Sequence, residues 1–95
     1  MTSKRSMAKQ LTNARVTLTL NERPHTAECS IFVESYGPPP RWHGRLWALS
    51  PAATLKRGDK LTLTLPKGAA AEVTVHKLGF RGALEFRGEG LAPDF

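Results

Sequence analysis

The chain has 95 residues, 14 basic against 8 acidic side chains for a formal net charge of +6, 40% hydrophobic residues and one cysteine. That length fits one domain with one modest core. No apolar run approaches the ~18 residues a membrane-crossing helix needs, and a lone Cys29 excludes an internal disulfide.

The basic residues near the N-terminus are followed by no apolar stretch, so a secretory signal is not expected, and an Arg- and Ser-containing transit peptide would want a stronger apolar face. The expectation is a soluble, cytoplasmic protein with no membrane partner, a reducing interior being the natural setting for an unpaired thiol. The charge is unevenly spread. Residues 1–15 hold Lys4, Arg5, Lys9 and Arg15 and no acid, whereas residues 16–95 hold 10 basic and 8 acidic residues, a net +2. The domain proper is thus close to balanced, and the basic pI belongs mostly to the N-terminal segment.

Residues 1–13 lack a strong apolar period and read as a flexible basic tail, with a short helical turn over 7–11. A first strand is predicted over 15–20, with Val16, Leu18 and Leu20 on one face. A turn over 21–24 contains Asn21 and Pro24. A second strand covers 26–34, with Ala27, Cys29, Ile31 and Val33 on one face and Phe32 on the other. Gly37, Pro38, Pro39 and Pro40 form an extended, polyproline-like loop. A third strand runs over 44–49, followed by an irregular segment over 50–54 and a turn over 56–59.

Residues 61–65 and 72–76 alternate apolar and polar around Pro66, Lys67 and Gly68, the pattern of a half-buried antiparallel hairpin. Gly79–Gly82 is a turn, and a sixth strand spans 83–87 with Leu84 and Phe86 inward. Gly79, Gly82, Gly88 and Gly90 around it read as turn and bulge residues. Residues 91–95 read as an irregular C-terminal tail. Six short, regularly spaced strands without a long helix predict an all-β fold, a six-stranded antiparallel barrel or compact sandwich over 14–90. A barrel is favoured because it leaves no exposed edges.

Val16, Leu18 and Leu20 are echoed by Leu61, Leu63 and Leu65, 45 residues on (61 − 16), and residues 27–31 by 71–75, 44 residues on (71 − 27). Two readings stay open: a duplicated three-strand unit, or the generic similarity of amphipathic strands.

No catalytic set emerges. Cys29 sits on an apolar strand face and reads as a small buried hydrophobe rather than a nucleophile. His25, His43 and His76 are scattered and give no metal-ligand spacing with it. Glu28, Glu72 and Glu85 fall on separate strands with nothing to single out a pair. Arg57, Gly58 and Asp59 spell an adhesive tripeptide where a turn is already required. The expectation is a non-enzymatic protein with no metal and no cofactor.

The strongest interaction segment is 36–47. It combines Tyr36, Arg41, Trp42, Arg45 and Trp47 with a stiff proline run, and Trp and Arg are enriched at interface hot spots. Alternatively Trp42 caps an open barrel end and Trp47 enters the core. Phe80 and Arg81 would join the segment if strand six adjoins strand three. The leading function is therefore a non-catalytic module that binds a protein partner through the 36–47 loop. The alternative is a nucleic-acid-binding barrel that uses the basic tail with Arg41, Arg45, Arg81 and Arg87 beside aromatic rings. Trp42 and Trp47 could equally meet in a homo-oligomer.

Residues 41–88 carry Arg41-x-x-x-Arg45, a strand ending at Ser50, a Gly58-Asp59 turn into a leucine strand, a paired strand, and Gly82 to Phe86. This layout resembles the PilZ family of cyclic-di-GMP receptor barrels over about half the chain. The resemblance implies a small barrel. The family's D/N-x-S-x-x-G pattern here reads Ala48-x-Ser50-x-x-Ala53, and the arginine pair lies within the barrel rather than before it. A barrel of that type that no longer binds the nucleotide is what the resemblance implies, and no family assignment follows from it.

Overall fold

The computed structural model describes residues 9–79 and 82–95. Apolar–polar alternation becomes an inside and an outside. Six antiparallel strands form: β1 (Lys9–Leu20), β2 (Arg23–Ser35), β3 (Arg41–Ser50), β4 (Lys60–Thr64), β5 (Ala70–Leu78) and β6 (Leu84–Gly88). They close into a barrel in the order β1-β2-β3-β6-β5-β4, with β4 returning to β1. Val16, Leu18, Ile31, Val33, Leu61, Leu63, Val73, Val75 and Phe86 are almost wholly removed from water inside it. Each aliphatic side chain so buried contributes about 1.5–3 kcal/mol against the ordering entropy of the chain.

The predicted strands are present, but their limits differ for physical reasons. β1 starts at Lys9, so residues 9–13 are not a tail, and residues 9–11 are not helical. Lys9, Gln10 and Leu11 pair with Val33, Phe32 and Ile31. The apolar period is obscured because β1 carries an extra residue between Leu11 and Ala14, with Asn13 at φ 53 and its amide donating to Ser30 Oγ. A bulge of this kind reverses the parity of the alternation. Residues 7 and 8, the rest of the expected helical turn, lie outside the described residues.

β2 starts at Arg23 and includes Pro24, which sits opposite Thr19 near the strand's beginning, where a missing N–H is tolerated. The turn is shortened to Asn21 and Glu22, both with positive φ (49 and 66), as a two-residue hairpin connection of type I′ requires. β3 starts at Arg41, so the 36–47 loop shrinks to residues 36–40. The C-terminal residues are irregular but docked. Pro93 is buried, Ala92 and Phe95 pack on the core, and Lys9 Nζ donates to the Phe95 carbonyl while lying 4.8 Å from its ring centroid.

The strand order is unchanged when β1-β2-β3 and β4-β5-β6 are exchanged. Leu18 faces Leu63, flanked by Thr17–Thr64 and Thr19–Thr62. Arg45 faces Glu85, flanked by Gly44–Phe86 and Leu46–Leu84. The β1–β4 junction reads the same in either direction and both junctions are antiparallel, so an approximate two-fold axis of the strand path passes through them and exchanges β1-β2-β3 with β4-β5-β6. The sequence offset needs one correction. Val16 pairs with Ala27 and Leu61 with Val73, so Ala27 corresponds to Val73, 46 residues on (73 − 27), rather than to Ala71. The second hairpin turn is longer, closed by Leu65 N–H to Ala69 O and Gly68 N–H to Leu65 O.

The β3–β6 junction depends on two glycines. A Cβ on Gly44 would collide with the Phe86 ring and the Ser30 carbonyl, and one on Gly88 would collide with the Trp42 indole. Trp42 and Phe86 meet edge to face, with centroids 6.3 Å apart at 77°, and Trp42 Nε1 donates to the Gly90 carbonyl at 3.1 Å. Gly88 is therefore a packing residue inside β6, not a turn residue. Gly82 and Gly90, with φ of 80 and 71, do occupy turn conformations.

Gly44→Ala and Gly88→Ala should each lower unfolding free energy by about 2–3 kcal/mol in urea titrations, Gly44→Ala more because backbone blocks its relief. Glu22→Gly should raise it by about 1 kcal/mol, because the left-handed conformation costs a non-glycine residue about that much.

Candidate functional site

β3 alternates over residues 41–47. Trp42, Gly44 and Leu46 point inward, so Arg41, His43, Arg45 and Trp47 point outward. Pairing extends this face on both sides. Phe32, His43, Arg87 and Thr74 form one row across β2, β3, β6 and β5, and Ser30, Arg45 and Glu85 form the next. The result is an outward groove of about 680 Å³ lined by Phe32, Glu34, Arg41, His43, Arg45, His76, Glu85 and Arg87.

Within it the Phe32 and His43 rings stack at 5.4 Å and 29°, and His43 Nδ1 meets Glu34 Oε2 at 2.9 Å. Arg87 Nη2 donates to His76 Nε2 at 3.1 Å. The ion pairs among the described residues are Arg15–Glu28, His43–Glu34 and Lys60–Glu89. Arg41, Arg45 and Arg87 thus present guanidinium groups that no described carboxylate neutralises within ion-pairing distance.

A second, apolar groove of about 390 Å³ lies beyond the Arg45–Glu85 pair, lined by Ala48, Leu49, Ala52, Leu55, Leu78 and Ala83 among others. Leu78 is half-exposed. Ala48, at φ 58, marks an extra residue in β3 opposite β2.

Of the residues singled out in sequence, Arg41 and Arg45 share the first groove. Tyr36, also half-exposed, lies in the adjoining 36–40 loop. Trp42 does not belong to an exposed cluster. It is 3% exposed and part of the core, which corrects the expectation of an accessible contact residue. Trp47 is half-buried on the outer face rather than in the core. Phe80 and Arg81 lie outside the described residues. The sequence reading missed Phe32, Glu34, His43, His76 and Glu85 as parts of one surface. The signal was present in β3, where residues 41, 43, 45 and 47 form the polar partner of an inward apolar set.

The other motifs are absorbed by structure. His25 is 7% exposed, with Nδ1 donating to the Pro51 carbonyl at 2.7 Å, which ties the β3–β4 connection to β2. Asp59 Oδ2 accepts the Lys56 amide at 2.8 Å, so the carboxylate of the Arg57-Gly58-Asp59 turn is engaged within the turn itself. Cys29 is fully buried, and burial pushes its thiol up from the ordinary 9.0 to about 12.

Among the described residues no group of three or more His, Cys, Asp or Glu could hold a metal ion, and no helix is long and apolar enough to cross a membrane. Comparison with known proteins gives no match to any protein family, curated protein or solved structure.

Cys29 should stay unreactive toward a water-soluble disulfide reagent at pH 8 and react fully once urea unfolds the chain. The unfolded thiol releases its proton first, so stability falls as pH rises from about 9 toward 12. A Cys29→Ala variant should lack that component, read as the difference between the two proteins' urea midpoints across this range.

Proposed function

We propose that the chain is a non-catalytic protein-interaction module whose partner surface is the outward face of β2, β3, β6 and β5. The observation that carries this reading is the grouping of Arg41, Arg45 and Arg87 in one groove with the Phe32–His43 stack, next to an apolar groove. Arginine and aromatic rings on a rigid sheet contribute most at protein interfaces because little side-chain entropy is lost per contact. The contact surface is a strand face, not the 36–47 loop, from which Pro40 reaches the groove.

A nucleic-acid ligand is less well supported by the charge distribution. Glu34 and Glu85 line the cationic groove, residues 16–95 carry only +2, and the neighbouring groove has aliphatic walls. A phosphate polymer gains chiefly from uninterrupted positive charge. The deeply buried, proton-retaining Cys29 supports a non-enzymatic role, and an unpaired thiol is compatible with the cytoplasm.

The test uses the affinity-tagged full chain in nuclease-treated extract of its source cells, beside an Arg45→Glu/Arg87→Glu variant with an unchanged melting temperature. The expected result is a discrete protein partner retained at least tenfold less by the variant. Equal retention by both proteins would sink this reading. So would a full chain that binds a labelled single-stranded oligonucleotide at moderate salt and loses it with the two arginines, which would establish the nucleic-acid alternative.

A further inference from the structure

We infer that the partner supplies an extended segment with acidic residues at one end and an apolar anchor at the other, lying along β3 across the Arg45–Glu85 pair. The inference rests on the protein-interaction reading above and specifies its ligand. The two grooves are counterparts under the approximate two-fold axis. The pairing that carries Arg45 onto Glu85 and Leu46 onto Phe86 carries His43 onto Ala83, Gly44 onto Leu84 and Gly88 onto Ala48. His43, Gly44 and Gly88 line the first groove; Ala83, Leu84 and Ala48 line the second. The grooves therefore flank one point, and a straight segment through that point meets both.

Their chemistry has diverged in complementary directions. The first offers three guanidinium groups beside two carboxylates, of which Glu34 is engaged by His43, and suits one or two carboxylates rather than a long anionic run. The second has alanine and leucine walls and, among the described residues, no charged lining residue, and suits an aliphatic or aromatic side chain. Half-buried Trp47 lies on β3 between Arg45 and Leu49.

The backbone favours an extended ligand. β6 begins at Leu84, opposite Leu46, so among the described residues the β6-facing edge of residues 47–50 has no strand partner. Open strand edges of this kind accept added chains through main-chain hydrogen bonds. With a rise of about 3.4 Å per residue, and one of the four steps taken up by the extra residue at Ala48, Arg45 and Leu49 are about 10 Å apart along β3. The acidic and apolar contacts of an extended ligand should then be about three residues apart.

The experiment pans a phage-displayed random 12-residue peptide library against the full chain. Selected peptides are synthesised and titrated by fluorescence anisotropy against wild type, Arg41→Ala/Arg45→Ala and Leu78→Gln/Ala83→Gln. The expected consensus has acidic residues and an apolar residue about three positions apart. Affinity should fall at least tenfold in the arginine variant and at least fivefold in the groove variant, with melting temperatures unchanged.

Acidic peptides without a spaced apolar residue, indifferent to Leu78→Gln/Ala83→Gln, would overturn the two-groove inference and leave the interaction face standing. Failure to select any consensus would overturn the linear-segment inference and leave a folded partner for that face. A consensus indifferent to both variants would overturn the inference and the function together.

Discussion

Two aromatic rings laid over two glycines hold β3 against β6, and the rest of the molecule depends on that junction. Phe86 lies across Gly44 on the neighbouring strand, and Trp42 lies across Gly88 one step further along. Neither ring could occupy its place if the facing residue had a Cβ, and each glycine would leave a void without its ring. The contact is long-range in sequence, so it forms only once both three-strand units exist. It also determines where the polar residues go. With Trp42, Gly44 and Leu46 inward, Arg41, His43, Arg45 and Trp47 are forced outward, opposite Glu85 and Arg87. The charged groove is the reverse side of the aromatic–glycine interlock.

The approximate two-fold explains why one end of this junction is aromatic and charged and the other is small and apolar. Its two halves share a strand path but not a side-chain inventory. The position related to Gly88 by the two-fold holds Ala48, in a left-handed conformation. The aromatic interlock therefore occurs on one side only. On the other side β3 parts from β6 after Leu46, and the irregular residues 51–59 leave the barrel, tied back by His25 to the Pro51 carbonyl and by Gly58 and Asp59 to Val75.

Most of the fold was legible because inward residues alternate over residues 16–20, 27–33, 61–65 and 73–75, and period two leaves little freedom in strand assignment. What escaped were the places where parity breaks. The bulge at Asn13 hid the first third of β1, and the prolines before Arg41 drew the β3 boundary too late. Trp42 was misread for the same reason. Assigned to a loop it had two fates, cap or contact, whereas two residues before Gly44 in a strand it can only be core. Gly88 was taken for punctuation because its partner ring lies 46 positions away (88 − 42) in the sequence.

The site was less legible than the fold because it is a property of adjacency. Arg41 and Arg45 announce themselves in one strand, but His43, Phe32, His76 and Arg87 mean little until the order β2-β3-β6-β5 places them side by side. The same adjacency decides what kind of ligand the face suits. Three arginines counted along the chain look like a nucleic-acid footprint; three arginines interleaved with Glu34 and Glu85, beside aliphatic walls, do not. Charge of one sign spread over a surface recruits polymers of the other sign. Charge of both signs, fixed on neighbouring strands at known spacing, penalises a ligand whose own charges are out of register. A polypeptide partner is proposed on this contrast, since a uniform phosphate backbone offers charge of one sign only.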